Sequence, residues 1–132
     1  MDGFTKTDME EALRTIASMM ERSEKAQEKF AQGTSQHTLQ KNRRKALFVA
    51  SSLIAAELSG SGATDAFTKE ELTKALAPIA SLIRKSEKAR EKLAQGTWQH
   101  TMLGDNLKAL SIASPLLTKA LRGMDAEKAR EE

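Results

Sequence analysis

The chain contains no cysteine. Disulfide bonds, thiolate metal sites and cysteine nucleophiles are therefore excluded, and the composition is typical of a reducing compartment. The most apolar stretch, residues 46–58, is 13 residues long and contains Ser51 and Ser52, whereas a membrane-spanning helix needs about 18 apolar residues or more. The segment Met1-Asp2-Gly3 has no basic region followed by an apolar one, so we expect no signal peptide, no membrane partner and a cytoplasmic location.

Charge of one sign is not strongly in excess. The net charge is +3, and 30% of the residues are charged. The second half is the more basic, because residues 67–123 carry 10 basic and 5 acidic side chains, against 9 and 8 in residues 1–58. Interspersed charges of both signs are typical of a solvated helix surface, and a nucleic-acid footprint normally shows a stronger bias.

The chain contains a tandem repeat with an offset of 63 residues. Repeat one covers residues 4–58 and repeat two covers residues 67–121, and about half of the aligned positions are identical without a gap. A flexible linker, residues 59–66, separates the repeats, and a charged tail follows at 122–132. At 132 residues the whole chain is expected to form a single domain around one core.

Each repeat is expected to form two helices. Apolar residues three or four apart mark one face of the first helix. These are Met9, Leu13, Ile16 and Met20 in repeat one, and Leu72, Leu76, Ile79 and Ile83 in repeat two. Phe30 and Leu93 continue the same face after two polar positions, which are Ser23 and Gln27 in repeat one and Ser86 and Arg90 in repeat two. Thr5 and Thr68 stand where an N-cap is expected, and the acidic residues after them favour the positive end of the helix dipole.

The segments Gln32-Gly33-Thr34 and Gln95-Gly96-Thr97 are predicted to join the two helices of each repeat. Glycine is the usual left-handed residue just past a helix, and threonine can cap the next helix. The second helices carry apolar residues at Leu47, Ala50, Ile54 and Leu58, and at Leu103, Leu107, Leu110, Leu117 and Leu121. Each repeat therefore predicts an αα-hairpin.

Together the hairpins predict an all-α, up-down-up-down four-helix bundle with pseudo-two-fold symmetry. The eight-residue linker reaches at most about 28 Å, less than the ~40 Å length of a 27-residue helix, so both turns should lie at one end. Pro78 and Pro115 are expected to kink the third and fourth helices, and the tail after Gly123 is expected to fray.

The most constrained motif is Gln-Gly-Thr-x-Gln-His-Thr, at residues 32–38 and again at 95–101. Helix capping explains much of it, since the histidine can reach back to the cap as glutamine does in a capping box. Alternatively, the two histidines and the helix N-termini bind an anion or a carboxylate-bearing partner. A metal site would need further ligands, of which only Asp105 lies nearby, and no catalytic group of nucleophile, base and orienting residue stands at a motif spacing.

Trp98, the only tryptophan, replaces Ser35 in the second copy of this motif. It either packs across the end of the bundle or, if exposed, anchors a partner. The candidate interaction surface consists of glutamines and histidines of the two turns together with this ring: Gln36, His37, Trp98, Gln99 and His100. No cofactor is expected.

An alternative basic face combines the densest basic run with cations of the third helix. Its residues are Arg43, Arg44, Lys45, Arg84, Lys85, Lys88 and Arg90. A solvated face is the ordinary interpretation, and contact with the phosphates of RNA is the functional one. We expect a non-enzymatic protein-interaction or adaptor module, monomeric or a weak homodimer, with RNA binding as the alternative and a small-ligand or metal site at the bundle end as a weaker third.

Overall fold

The computed structural model describes the backbone of residues 4–60 and 66–131, and side chains up to residue 126. Within these ranges the protein contains four helices and no strand. They are α1 (Lys6–Glu28), α2 (Ser35–Ser59), α3 (Lys69–Glu91) and α4 (Trp98–Glu131). The predicted all-α, four-helix fold is confirmed, while residues 61–65 of the predicted linker lie outside the described residues.

The first helix of each repeat, α1 or α3 (the outer helices), begins directly after the threonine predicted as its N-cap. The hydroxyl of Thr5 accepts from the backbone N–H of Asp8 at 3.0 Å, and the Asp8 carboxylate accepts from the Thr5 N–H at 3.0 Å. Thr68 and Glu71 form the same reciprocal pair at the start of α3. Each capping box satisfies two N–H groups that the helix leaves without a partner. Both predicted N-caps are thus confirmed.

The ends of the outer helices were predicted too late. Both first helices were expected to reach the Gln-Gly-Thr segments, but α1 ends at Glu28 and α3 at Glu91, followed by Lys29 and Lys92 with right-handed backbones. Gly33 therefore lies inside a longer turn and not directly at the helix end. Phe30, predicted on the apolar face of the first helix, falls in this turn and is exposed.

The core is centred on α2 and α4. Leu47 and Ile54 of α2 and Leu110 and Ile112 of α4 are fully buried. The outer helices, α1 and α3, contribute fewer buried residues to this core. α1 contributes Ala12, Ile16 and Met19, and α3 contributes Leu72, Ala75, Ile79 and Ser86. Leu76 was predicted on the buried face but is exposed, and its neighbour Ala75 is buried in its place.

The fourth helix is longer than predicted. It continues through Gly123 to Glu131, so the backbone expected to fray is helical. Met124 packs against the core, and Asp125 forms an ion pair with Lys69 at 2.6 Å, which attaches this segment to the start of α3. Neither Pro78 nor Pro115 interrupts its helix.

The helices contact one another in a closed pattern. α1 and α3 each contact both α2 and α4, and α2 contacts α4, while α1 and α3 do not meet in the part of the chain described. This is a compact bundle with α2 and α4 as its central pair. The up-down-up-down course and the pseudo-two-fold axis stay predictions. Among the described residues, no helix combines the length and the apolar character that a membrane span requires.

Candidate interaction surfaces

The two turns share one local structure. Gly33 and Gly96 have φ values of +87° and +86°, in the left-handed region that favours glycine. In the first turn the Thr34 hydroxyl donates to the carbonyl of Ala31 at 2.7 Å and accepts from the N–H of His37 at 3.2 Å. Thr97 makes the equivalent bonds to Ala94 and His100 in the second turn. The prediction that Thr34 caps α2 is confirmed.

The prediction that histidine closes a capping box is wrong for His37. The N–H of Thr34, which a capping box would satisfy, already donates to the carbonyl of Ala31 at 3.2 Å. The His37 ring turns instead to Gln27 of α1, whose amide nitrogen lies 3.2 Å from Nε2. In the tautomer with its proton on Nδ1, the imidazole accepts this hydrogen bond. His37 therefore joins α2 to α1 and is half-buried.

The second turn differs because Arg90 stands where repeat one has Gln27. The Arg90 guanidinium packs on Gly104 of α4, where a Cβ atom would lie 3.2 Å from Nη2. His100 is half-buried, and no hydrogen bond joins its ring to another side chain of the described residues. The histidines thus have equivalent backbone roles and different side-chain partners.

Several apolar side chains in and beside the two turns are exposed. Trp98 is 73% exposed, so it does not pack across the bundle end. Phe30, within the first turn, and Leu39, near the start of α2, are exposed too, and neither was predicted as a binding residue. We call Gln36, His37, Trp98, Gln99 and His100, together with Phe30 and Leu39, the turn surface.

The two turns belong to neighbouring parts of the molecule. Sδ of Met102, in the first turns of α4, lies 3.9 Å from Nη1 of Arg22, in the second half of α1. His37, at the start of α2, contacts Gln27 on that same half of α1. The start of α2 and the start of α4 therefore both lie beside the end of α1.

The seven residues of the alternative basic face differ in exposure. Lys45, Arg84, Lys85 and Lys88 are exposed, while Arg43, Arg44 and Arg90 are half-buried. Burial lowers the pKa of Arg43 from its ordinary value, and Nε of Arg43 and of Arg90 is buried without a hydrogen-bond partner. None of the seven forms an ion pair with a carboxylate of the described residues.

A metal site is not assembled in the described part of the chain. No three side chains of histidine, aspartate or glutamate lie together there in an arrangement that could hold an ion. Asp105, the acid nearest to the second turn motif, instead lines a groove between α1 and α4. The described contacts do not bring Asp105 to either histidine.

One surface was missed by the sequence analysis. A groove of about 680 Å³ runs between α2 and α3, with Phe48, Phe67 and Pro78 among its apolar walls and Arg44 and Lys45 at its edge. Phe48 is 54% exposed although it lies in the middle of α2. Arg44 and Lys45 were predicted from the sequence as part of a basic face. That aromatic rings lie beside them was not predicted.

Neither the models of protein families, nor the curated proteins, nor the solved structures compared with this chain gave a match. The class defined by fold and surface is thus a four-helix bundle with an exposed turn surface, and fold alone does not determine function. The residues themselves carry the functional argument.

Proposed function

We propose that this protein is a small non-enzymatic module that binds another protein through the turn surface. The observation that carries the proposal is the exposure of Trp98, whose side chain is 73% accessible to solvent. Tryptophan is the residue type most enriched among those that dominate binding energy at protein interfaces, because its large ring becomes desolvated on binding. Phe30 and Leu39 extend the apolar character of the same end.

Helix capping does not explain Trp98. The hydrogen bonds of Thr34 and Thr97 account for the first threonine of each copy of the motif, and the left-handed backbone accounts for its glycine. Ser35 occupies the equivalent first helical position of α2 and serves the same backbone geometry without a large ring. The ring at position 98 is therefore free for a function other than folding.

Trp98 also supplies the measurement. Because it is the only tryptophan of this chain, the tryptophan fluorescence that this protein contributes comes from this surface alone. Cross-linking in cells followed by mass spectrometry would identify candidate partners, and each purified candidate would be titrated against the protein. Binding at the turn surface should shift the emission to shorter wavelengths, since the ring leaves water.

The matched variants are Trp98→Ser, which copies the first turn, and Leu76→Ser, which removes an exposed apolar side chain from the middle of α3. Trp98→Ser should weaken partner binding by tenfold or more at unchanged helicity, and Leu76→Ser should leave it unaltered. Equal affinity of wild-type protein and Trp98→Ser for every partner would refute the proposal.

The alternative function is RNA binding through the basic face. It is favoured by the lack of carboxylate partners for these seven cations within the described residues. RNA affinity that falls steeply with salt and is lost in the variant Arg84→Glu, Lys88→Glu would support this alternative. Binding unaffected by that charge reversal would exclude it.

A further inference from the structure

The groove between α2 and α3 has an apolar floor. The rings of Phe48 and Phe67 meet edge to face, with centroids 6.0 Å apart, and the floor continues through Val49, Ala75 and Pro78. Phe48 keeps more than half of its surface in contact with water. A large aromatic side chain in the middle of a long helix is normally covered, so this floor lacks a covering element in the described chain.

The edge of the groove is positively charged. Arg44 and Lys45 line it from α2, and no carboxylate of the described residues lies within ion-pair distance of either. The acidic group that lines it, Glu71, is held in the capping box of α3. Lys74 adds a cation that is paired with Glu70 at 3.0 Å and stays exposed. The groove therefore offers an apolar floor beside two unpaired cations.

A second groove, of about 360 Å³, lies between α1 and α4. Every residue that lines it stands 63 positions from a residue lining the larger groove, so the two are equivalent positions of the two repeats. Here the equivalents of Lys45 and Glu71, namely Lys108 and Asp8, form an ion pair at 2.9 Å. In the smaller groove, the lysine equivalent to Lys45 is therefore already paired with a carboxylate of the same chain.

The repeats have diverged at these grooves in a consistent direction. Phe48 stands opposite Ser111 in the alignment, Pro78 opposite Thr15, and Lys74 opposite Glu11. The larger groove has more apolar surface and a greater excess of positive charge, while the smaller one combines Arg14 and Lys108 with the acids Asp8, Glu11 and Asp105. The equivalent groove thus acts as an internal control for what a groove of this bundle looks like without the apolar floor.

We propose that the groove between α2 and α3 docks an acidic amphipathic helix of a partner protein. Its walls on α2 run from Asn42 to Val49, about 10 Å along the axis at 1.5 Å per residue, which matches two turns of a bound helix. Apolar side chains spaced three or four apart would cover Phe48 and Phe67, and carboxylates flanking them would pair with Arg44 and Lys45.

A helix suits the groove better than a small molecule. Small-ligand sites bury most of the ligand, typically 70–90% of its surface. The exposure of Phe48 shows that the floor is shallow and open, so a small anion would keep much of its surface in water. A helix covers the floor with one face and keeps the opposite face solvated.

The test uses a designed, fluorescently labelled helical peptide with leucines at positions 1, 4, 5 and 8 of its apolar face and glutamates beside them. A second peptide carries lysine in place of each glutamate. The wild-type protein should bind the acidic peptide and discriminate against the basic one by at least tenfold. In amide NMR spectra, shifts should be confined to residues 42–49 and 67–78 and the neighbourhood of Met20, which also lines the groove, and be absent from residues 105–112 and 8–15.

Four variants locate the site. Arg44→Glu with Lys45→Glu, and separately Phe48→Ser, should each weaken binding by tenfold or more. The control Lys41→Glu with Lys92→Glu changes the net charge equally at exposed residues outside the groove, and should weaken binding by less than threefold. Trp98→Ser should have no effect, which separates this site from the turn surface. Unchanged far-ultraviolet circular dichroism would show that each variant is folded.

Several outcomes would overturn the proposal. Equal losses of affinity in the variant Arg44→Glu with Lys45→Glu and in its charge control would show that only long-range electrostatic attraction is involved. NMR shifts at residues 105–112 would place the bound peptide in the smaller groove. Tighter binding of single-stranded RNA, or of vesicles of phosphatidylserine, with the same NMR footprint would show that the ligand of the groove is a polyanion or a membrane surface and not a helix.

Discussion

Alanine in place of the turn glycines should destabilise the protein by about 1 kcal/mol at each position. Gly33 and Gly96 have left-handed backbones, with φ near +87° and +86°. A Cβ atom built on either would meet no other atom within 4 Å. The cost therefore comes from backbone strain alone, since no neighbour has to move.

Gly123 provides the matched control. It lies within α4, and a Cβ atom there would also meet nothing within 4 Å. The same substitution, Gly123→Ala, should stabilise the protein by about 0.5–1 kcal/mol, because alanine loses less conformational freedom in a helix. Identical chemistry in equally open space should thus give opposite signs at the turns and in the helix.

Urea denaturation followed by circular dichroism at 222 nm measures these differences directly. For a domain of this size, 1 kcal/mol corresponds to a change in melting temperature of about 4 °C. Gly33→Ala and Gly96→Ala should agree within about 0.5 kcal/mol, since the two turns have the same hydrogen bonds. A neutral or stabilising effect of both substitutions would refute the left-handed geometry of the turns.

Three further changes test other parts of the structure. Thr34→Ala should cost about 1 kcal/mol in urea denaturation by removing the N-cap of α2, and Thr34→Ser should restore most of it. The backbone N–H of Thr5 and the ammonium of Lys108 lower the pKa of Asp8 below its ordinary value of 3.8. The stability that Asp8 contributes should therefore be complete above about pH 4 and be lost as the pH falls further. In denaturation curves measured over a pH series, Asp8→Asn should reduce this loss of stability in acid. Leu110→Ala should cost about 2–5 kcal/mol, because Leu110 is fully buried, and a loss under 1 kcal/mol would contradict its place in the core.

The starts of the outer helices were predictable because capping is local. Thr5 and Thr68 need only a residue three positions later to complete their hydrogen bonds, and both partners are visible in the sequence. The ends were not, since Gly33 marks a left-handed residue without saying how many residues separate it from the helix. The extension of α4 past Gly123 depends on tertiary contacts of Met124 and Asp125.

The turn surface was partly predictable and the groove was not. Trp98 was predicted as a candidate binding residue because it replaces the serine of the first repeat. Its exposure depends on the tertiary structure and could not be predicted. The groove brings together α2 of one repeat and α3 of the other, which the spacing within either helix does not reveal. A usable signal was the pattern of differences, since Phe48 and Pro78 both replace smaller or more polar residues of the other repeat.

Because the two grooves differ, the number of binding grooves in one molecule differs from that of a symmetric pair of hairpins. In a symmetric pair of identical hairpins, any substitution would appear in both grooves, and one assembly would hold two ligands. Because both hairpins belong to one chain, Phe48 can stand in one groove while Ser111 stands in the other. If the α2–α3 groove docks a helix as we propose, each molecule holds one such helix and cannot bridge two copies of the same partner through these grooves.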